Sequence, residues 1–366
     1  MAKKVVVAMS GGVDSSVAAA LLQQQGYEVV GMMMRLWSEE GREAQNRCCT
    51  PEAMGIARQV AGQLEIPFYA VDAKDVFRDT VVEYFLDGHR QGQTPNPCLA
   101  CNRHIRWEFL LEQALGIGAD YMATGHYVRL VREEGELIGL FEAVDSTKDQ
   151  SYVLSVLTQA QLKHALFPLG DLTKKEVVAF AEELKLPAAQ SKESQDLCFL
   201  AGEDYREFLM RHAPELAEAG PILNSAGEQV SEHRGLVNYT IGQRKGIGVA
   251  APEPLYVLEK RSEDKALIVG GREELGRQAL HAGEASWVSG AAPEREFEGE
   301  VKIRYSAAKA PAEIEVHDDG SFSAYFEEPL RDITAGQAAV IYQESEVVGS
   351  ALIQSAEFVR EERVPA

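Results

Sequence analysis

The chain of 366 residues has no long hydrophobic run, since none approaches the roughly 20 apolar residues that a membrane-spanning helix needs. Its first apolar run, Val5–Ala8, is too short for the core of a signal peptide and is better explained as a buried strand. Hydrophobic residues make up 45% and charged residues 25% of the chain, as in ordinary globular proteins. We therefore expect a globular, cytoplasmic protein that does not associate with membranes.

Cysteine is scarce and odd in number. The five cysteines are Cys48, Cys49, Cys98, Cys101 and Cys198. An odd number in a long chain without an export signal argues against a disulfide framework, so we expect a reducing compartment. The thiols are then candidates for catalysis or metal binding.

Positive charge is also in deficit, with 36 Lys and Arg residues against 57 Asp and Glu residues and a formal net charge of −21. Nucleic-acid phosphates are repelled by such a field, which argues against broad, non-specific binding to nucleic acid. An RNA partner would have to be bound by a local basic surface.

The order of the predicted elements divides the chain into three parts. Over residues 1–204, β-rich runs alternate with helical patterns, which predicts an α/β domain with a parallel sheet covered by helices on both faces. Prolines and glycines interrupt regular structure in a small connector, residues 205–255. Short alternating runs and the turn signal Asp318-Asp319-Gly320 then predict an all-β domain, a small barrel, over residues 256–366.

The segment Ser10–Ser16, SGGVDSS, lies between a predicted buried strand and a predicted helix. Gly11 and Gly12 let the backbone approach an anion, and the helix that follows offers N–H groups and its positive dipole end. Asp14 repels phosphate unless a Mg²⁺ ion bridges the two. The motif lacks the lysine of kinase and GTPase phosphate loops. An ordinary serine-capped helix after a glycine turn is the alternative explanation.

A second informative segment is Thr94-Pro95-Asn96-Pro97. Its two prolines fix φ and force the residues before them into extended conformations, so the chain is stiff and not helical there. A helix is predicted to begin near Cys98 and Cys101, where the helix N-terminus and nearby basic side chains favour a thiolate. The alternatives are half of a zinc site completed by Cys48 and Cys49, or a thioredoxin-like redox pair.

Two resemblances narrow these alternatives. SGGVDS resembles the phosphate loop of the PP-loop ATP-pyrophosphatase superfamily, which implies cleavage of ATP between the α and β phosphates. Further motifs follow it in order: TPNP with Cys101-Asn102, ATGHY (Ala123–Tyr127), DQSY (Asp149–Tyr152), the segment around Cys198 and GQRKGIG (Gly242–Gly248). Alone, Cys198 is typical of a buried structural cysteine. Together, the motifs resemble the bacterial tRNA-specific 2-thiouridylase family over essentially the whole chain.

This resemblance implies that ATP adenylates O2 of the wobble uridine in certain tRNAs, that a persulfide sulfur replaces the oxygen, and that AMP leaves. It implies Cys101 as the nucleophile and Cys198 as the persulfide carrier. The base-contacting segment is matched by Asn96, Pro97 and Cys98. The nucleotide site is matched by Ala8, Met9, Ser10, Gly11, Gly12, Val13, Asp14, Ser15, Met34 and Gly125. The tRNA-contacting positions are matched by His126, Lys148, Asp149, Gln150, Arg304, Tyr305 and Gln337.

Position 98 leaves the mechanism open, because much of the family has Asp where Cys98 stands. Either the persulfide route operates, or Cys98, Cys101 and Cys198 are three ligands of a [4Fe-4S] cluster whose fourth iron binds sulfide. The expected cofactors are therefore ATP, Mg²⁺ held by Asp14 and, in the second route, the cluster. The adjacent cysteine pair upstream has no implied role.

The resemblance also implies partners, namely tRNA and a sulfur donor, which is a cysteine desulfurase acting directly or through relay proteins. We expect a monomer bound to one tRNA. Basic residues recur near the tRNA positions and predict a locally positive groove: Arg103, Arg106, Arg129, Arg132, Lys148, Arg244, Lys245, Arg304 and Lys309.

Two other functions compete with this one. An amide-forming PP-loop synthetase acting on a small metabolite would leave Cys101 and Cys198 unexplained. A tRNA-binding protein without catalysis is disfavoured by the intact SGGVDS motif.

Overall fold

The computed structural model describes residues 2–42, 50–132, 137–191, 197–200 and 202–357. Cys48 and Cys49 lie outside the described residues. Among the helices in these ranges, none combines the length and the apolar character that crossing a bilayer requires.

A parallel sheet forms the centre of the first part of the chain. Its strands are β1 (Lys4–Ala8), β2 (Glu28–Arg35), β3 (Phe68–Asp72), β4 (Tyr121–Ala123) and, later in the chain, β7 (Ala165–Leu166). Their spatial order is β3-β2-β1-β4-β7. Because side chains alternate between the faces of a strand, Val6 packs into one hydrophobic cluster and Val5 and Val7 into another. The predicted parallel sheet with two covered faces is confirmed.

Helices cover both faces of this sheet. They are α1 (Val13–Gln24), α2 (Pro51–Gln63), α3 (Lys74–Phe77), α4 (Glu83–Arg90), α5 (Pro97–Ala100), α6 (Leu111–Gly116), α7 (Ser151–Leu154), α8 (Gln159–Leu162) and α9 (Lys174–Glu183). π-Helical segments, Arg78–Val82 and Cys101–Leu110, continue α3 into α4 and α5 into α6. Such segments are rare in helices and frequent at functional sites.

The middle part begins with α10 (Tyr205–His212) and contains a second sheet. Its strands are β8 (Gly220–Asn224), β9 (Gln229–His233), β10 (Tyr256–Arg261) and β11 (Ala266–Gly270), in the order β10-β11-β8-β9. In the connector, the interrupting prolines and glycines predicted no strand, whereas the structure has β8 and β9 there. Pro221 is tolerated in β8 because β11 pairs with β8 only from Ile222 onward. The sheet also crosses the division expected between residues 255 and 256, because β11 pairs with β8 and β10 with β11.

The last part of the chain forms an antiparallel barrel. Its strands are β12 (Arg277–Ala282), β13 (Ser286–Trp287), β14 (Glu296–Lys302), β15 (Ala310–Val316), β16 (Phe322–Leu330), β17 (Ala338–Gln343) and β18 (Glu346–Glu357). The order β12-β16-β15-β14-β17-β18 closes because β12 also pairs with β18. The predicted turn at Asp318-Asp319-Gly320 joins β15 to β16, which pair antiparallel. The predicted C-terminal barrel is confirmed.

The barrel and the first domain share both a sheet and a core. A hairpin of the first domain, β5 (Arg129–Val131) and β6 (Gly139–Phe141), extends the barrel sheet through pairing with β18 at Glu346. Tyr342 of the barrel and Trp107 of the first domain belong to one hydrophobic cluster. The position of the barrel relative to the first domain is therefore fixed by buried contacts.

Candidate active site

Serine side chains hold the loop between β1 and α1 in shape. The Ser15 hydroxyl accepts a hydrogen bond from the Ser10 N–H at 3.2 Å and donates to the Gly12 carbonyl at 3.3 Å. Gly11 has a φ of 75°, and a Cβ there would lie 2.4 Å from the carbonyl oxygen of Ala53 in α2. Only glycine fits this position without strain. The backbone of the loop is therefore fixed by its own consecutive residues and by α2.

The two other residues expected in the nucleotide site lie near this loop and near the cysteines. A Cβ on Gly125 would lie 2.7 Å from both the Asp14 carbonyl carbon and the Ser15 nitrogen, so the chain after β4 packs directly on the start of α1. Met34, in β2, packs against the hydrophobic cluster that contains Cys101. The end of β2 therefore connects the sheet that carries this loop to the cluster that contains Cys101.

Asp14, expected to hold Mg²⁺, is contacted by two donors that the sequence analysis missed. The Tyr127 hydroxyl and the Lys174 ammonium group donate to its Oδ1 atom at 2.8 and 2.7 Å. Lys174 is the first residue of α9, which begins with a capping box formed by Thr173 and Glu176. That motif signals where the helix begins but not which loop its first side chain reaches. The fold thus supplies the lysine that the phosphate-loop motif lacks.

We call residues Thr94–Cys98 the thiol turn. The Asn96 side chain accepts a hydrogen bond from the Cys98 N–H at 3.1 Å, and Pro97 takes the first helical position. Both residue types are favoured at helix starts, which explains why the helix begins here. One turn later, the Asn102 amide donates to the Cys98 carbonyl at 3.1 Å.

Cys101 and Cys198, far apart in sequence, belong to one hydrophobic cluster. Cys101 is buried and Cys198 is half-buried at the edge of the cluster, whereas Cys98 is exposed. Four phenylalanines pack among the aliphatic side chains of this cluster; the ring centroids of Phe85 and Phe199, for example, are 5.4 Å apart. The two cysteines expected to perform the chemistry therefore share an apolar environment that limits access of water to Cys101.

No group of three or more His, Cys, Asp or Glu side chains is placed to hold a metal ion, as far as the described ranges extend. Cys98, Cys101 and Cys198 consequently do not form a preformed cluster site in this arrangement.

Polar contacts lead from the thiol turn to the segment beside the nucleotide loop. Arg106 donates to the Asn102 side-chain oxygen at 3.1 Å. The pKa of His126 is held well below its usual value, first by complete burial and then by the nearby charge of Arg106. The imidazole is therefore neutral at physiological pH, with Nδ1 2.7 Å from the Thr124 hydroxyl. Since His126 follows Gly125, the Arg106 guanidinium lies near both the thiol turn and the segment that packs beside the phosphate loop.

Residues expected to contact tRNA converge on the thiol turn. The Tyr305 hydroxyl donates to the Asp149 carbonyl at 3.1 Å. The pKa of Tyr305 is raised, chiefly by burial and then by the electrostatic influence of Asp149 and Cys98. Gln337 donates from Nε2 to the Thr94 carbonyl at 2.7 Å. Segments from two domains therefore meet around this turn.

Several of the expected tRNA residues also make internal contacts. The buried Asp149 carboxylate accepts hydrogen bonds from the Ala143 N–H at 2.9 Å and the Ser151 hydroxyl at 2.7 Å. Gln150 accepts from the Tyr127 N–H at 3.0 Å. Two others remain closer to solvent, since Lys148 is half-buried and Arg304 forms an exposed ion pair with Asp332 at 3.3 Å.

Two members of the predicted basic groove are engaged in contacts within the protein. The Arg132 guanidinium donates to the Leu162 carbonyl at 2.7 Å. Lys309 is held between Glu142 and Glu300, at 3.2 and 2.9 Å. The members of the groove that are exposed to solvent are Arg103, Arg132, Arg244, Lys245 and Arg304.

Family models match all three parts of the chain. The model described as the tRNA methyl transferase HUP domain matches residues 3–202, and the tRNA methyl transferase PRC-barrel domain matches residues 206–271. The aminomethyltransferase beta-barrel domain model matches residues 277–353.

Curated relatives match the chain from end to end. The "tRNA-specific 2-thiouridylase MnmA" of Natranaerobius thermophilus is 42% identical over 97% of this chain and 98% of its own length. The protein of the same name from Chloroflexus aggregans is 44% identical over 95% and 98%.

Similarity to solved structures covers a smaller share of the chain. The U34-tRNA thiolase NcsA of Methanococcus maripaludis, with its [4Fe-4S] cluster, has a TM-score of 0.35 and 21% identity, covering 58% of this chain and 68% of that one. A 4-thiouridine synthetase in complex with RNA and ATP has a TM-score of 0.36 and 16% identity, covering 58% and 51%.

Proposed function

The chain belongs to the tRNA-specific 2-thiouridylase family, and we propose that it replaces the C2 oxygen of the wobble uridine of tRNA with sulfur, consuming ATP and releasing AMP and pyrophosphate. One observation carries the residue assignment. Cys101 and Cys198 come together in a single apolar cluster, and Met34 connects that cluster to the sheet that bears the phosphate loop.

In the first step, the uridine O2 atom attacks the α-phosphorus of ATP. A new O–P bond forms as the bond to the β-phosphate oxygen breaks, and pyrophosphate leaves. The amides and hydroxyls of Ser10–Ser15 bind the leaving phosphates at the start of α1. Lys174, held at 2.7 Å by Asp14, supplies a positive charge at this loop.

Mg²⁺ is compatible with this site. Asp14 would hold the ion together with the phosphates of ATP, since Mg²⁺ binds through one or two carboxylates and substrate oxygens. When bound, the ion neutralises part of the pyrophosphate charge. Asp14 then has two tasks, because its Oδ1 atom already accepts hydrogen bonds from Tyr127 and Lys174.

In the second step, the terminal sulfur of a Cys198 persulfide attacks C2 of the adenylated uridine and AMP leaves. The Cys101 thiolate then attacks the Cys198 sulfur, which breaks the sulfur–sulfur bond to the base and releases 2-thiouridine. A Cys101–Cys198 disulfide results, and a thiol reductant restores both thiols. Reaching C2 requires the base to leave its stack, at a cost of roughly a few kcal/mol.

An iron–sulfur route would need Cys98, Cys101 and Cys198 to converge on one cluster. Because these side chains do not form a metal-holding group in the described structure, we derive no step through a cluster. Anaerobic purification followed by iron and sulfide analysis separates the two routes. The persulfide route predicts full activity in strictly iron-free protein, and loss of activity on removal of iron would contradict it.

We further propose that the protein works as a cytoplasmic monomer. Its persulfide sulfur would come from a cysteine desulfurase, directly or through relay proteins. His126, Lys148, Asp149, Gln150, Arg304 and Tyr305 would surround the tRNA, with Asn96, Pro97 and Cys98 beside the flipped base. Tyr305, which joins Asp149 to the neighbourhood of Cys98, supports this arrangement.

Mass spectrometry of wobble uridines after deletion of the gene tests the function most directly. We expect 2-thiouridine to disappear from its tRNAs and to return on complementation. Unchanged 2-thiouridine would contradict the proposal. ATP–pyrophosphate exchange that depends on tRNA, and not on a small amine, would exclude the amide-forming synthetase.

A further inference from the structure

We propose that Gln337 of the barrel is a positioning residue for the thiol turn, and that the barrel thereby controls the sulfur-transfer step. This proposal rests on the thiouridylase function above. It changes the role expected for Gln337, which the sequence analysis assigned to direct contact with tRNA.

Both main-chain polar groups of Thr94 are bound by the loop that precedes β17. The Thr94 carbonyl accepts a hydrogen bond from Gln337 Nε2 at 2.7 Å, and the Thr94 N–H donates to the Ala335 carbonyl at 2.8 Å. The contact between Gln337 and Thr94 joins residues 243 positions apart. The barrel thus binds both the carbonyl and the N–H of Thr94, the first residue of the thiol turn.

The barrel loop is itself firmly anchored and closely packed. The Gly336 N–H donates to the Ile353 carbonyl at 2.9 Å, and the Ile353 N–H donates to the Gln337 carbonyl at 2.8 Å. Gly336 has a φ of 89°, and a Cβ there would lie 3.0 Å from the Thr94 nitrogen. The close approach of the two backbones therefore requires glycine.

The thiol turn transmits this constraint to the cysteines because it is stiff. Proline rings fix φ at Pro95 and Pro97, which leaves few free torsions between Thr94 and the helix start. The residue between the prolines, Asn96, lies near the Tyr152 hydroxyl, and its side chain caps the Cys98 N–H. A displacement at Thr94 would therefore move the helix start.

Tyr152 ties the same region to the barrel a second time. Its hydroxyl donates to the Ala338 carbonyl at 2.9 Å and accepts a hydrogen bond from the Ala338 N–H at 3.2 Å. Because Ala338 follows Gln337, consecutive barrel residues bind Thr94 and the Tyr152 side chain that lies near Asn96.

The test compares Gln337→Met with the matched control Gln343→Met. Methionine keeps the length of the side chain and removes the amide. Gln343 is the last residue of β17, the strand that follows Gln337, and it donates to the Glu298 carbonyl at 3.3 Å, away from the thiol turn. Amide hydrogen exchange of the peptide that carries Thr94, Asn96 and Cys98 is measured without tRNA or ATP. We expect exchange about fivefold faster in Gln337→Met, the effect of losing one ordinary hydrogen bond, and no change in Gln343→Met.

The functional measurement separates positioning from tRNA contact. Gln337→Met should slow single-turnover sulfur transfer by about fivefold, while the tRNA Kd and tRNA-dependent pyrophosphate release stay within about twofold. Exchange of the turn peptide equal to that of the wild type would overturn the proposal. A raised tRNA Kd with unchanged exchange would assign Gln337 to tRNA binding instead.

Two controls keep the outcome clear. Thermal unfolding identifies a variant that fails to fold, and Gln337→Asn, one methylene too short to reach Thr94, then replaces Gln337→Met. Failure of the thiouridylase function itself is recognised separately, because the wild type would then form no 2-thiouridine while the exchange difference between variants remained.

Discussion

The phosphate loop and the thiol turn are supported by different parts of the chain. Consecutive residues hold most of the phosphate loop, where the hydroxyl of Ser15 binds the Ser10 N–H and the Gly12 carbonyl. The thiol turn is held by residues of the barrel, above all Gln337. The proposed ATP site is therefore held largely by local contacts, whereas the turn that leads to the cysteines is also held by contacts from a second domain.

The largest expected effect separates the two regions completely. Cys198→Ser removes the sulfur carrier but leaves the phosphate loop untouched. We expect 2-thiouridine formation to fall by at least about 10³-fold, the scale of losing a covalent nucleophile. Pyrophosphate release dependent on tRNA should persist. A Cys48→Ser variant serves as the control and should keep both rates; a parallel loss of pyrophosphate release in Cys198→Ser would show that the regions are not separable.

The reverse separation is expected from Lys174→Met. Removing the cation at Asp14 should lower adenylation by about 10²-fold, as for other preorganised groups that stabilise developing charge. Pyrophosphate release measures this step. The neighbouring Lys175 is exposed, so Lys175→Met is the matched control. Equal activity in the two variants would remove Lys174 from the phosphate site.

A third, smaller effect concerns the stability of the folded protein at low pH. Burial, followed by the charge of Lys260, lowers the pKa of His89 from 6.5 to about 3. The ring centroid of His89 lies 4.7 Å from that of Phe85, a member of the cluster that holds Cys101. Because the folded state keeps this imidazole neutral while the unfolded chain protonates it below its ordinary pKa, the stabilisation present at neutral pH is lost as the pH falls through 6.5.

From pH 7 to pH 5 the contribution of His89 to the loss in free energy of unfolding is about 2 kcal/mol. Urea titrations at both pH values should show a loss smaller by this amount in His89→Gln. The exposed His104, changed to Gln, should leave the loss unaltered. An identical pH dependence in the wild type and in His89→Gln would refute this assignment.

The smallest effect sharpens the description of the phosphate loop. Tyr127→Phe removes only the hydroxyl that donates to Asp14, because the buried ring keeps its packing. We expect adenylation to fall by about fivefold, the scale of one hydrogen bond. A loss as large as that of Lys174→Met would mean that Tyr127, and not Lys174, is the principal partner of Asp14.

The sequence predicts features that depend on consecutive residues better than features that depend on residues far apart in the chain. The phosphate loop, α1 and the barrel hairpin at Asp318-Asp319-Gly320 have determinants within a few consecutive residues, and their predictions are confirmed in structure. The pairing of Lys174 with Asp14 depends on the path of the whole first domain. No local pattern encodes that path.

The middle sheet shows a second limit of prediction from sequence. Gly220 and Pro221 are turn signals, and they concealed β8 because its pairing partner β11 lies much later in the chain. The convergence of Cys101 and Cys198 was expected only from the family resemblance. Their shared apolar environment and the hydrogen bond from Gln337 to Thr94 are visible only in the structure.

The contact between Tyr152 and Ala338 also has a consequence for synthesis on the ribosome. The two residues are 186 positions apart, and Tyr152 is completely buried in the finished protein. At about 5–20 residues per second, its partner emerges roughly 10–40 s later. Throughout that interval the nascent first domain exposes the apolar face that the barrel will cover, and faster synthesis of the C-terminal strands shortens this aggregation-prone period.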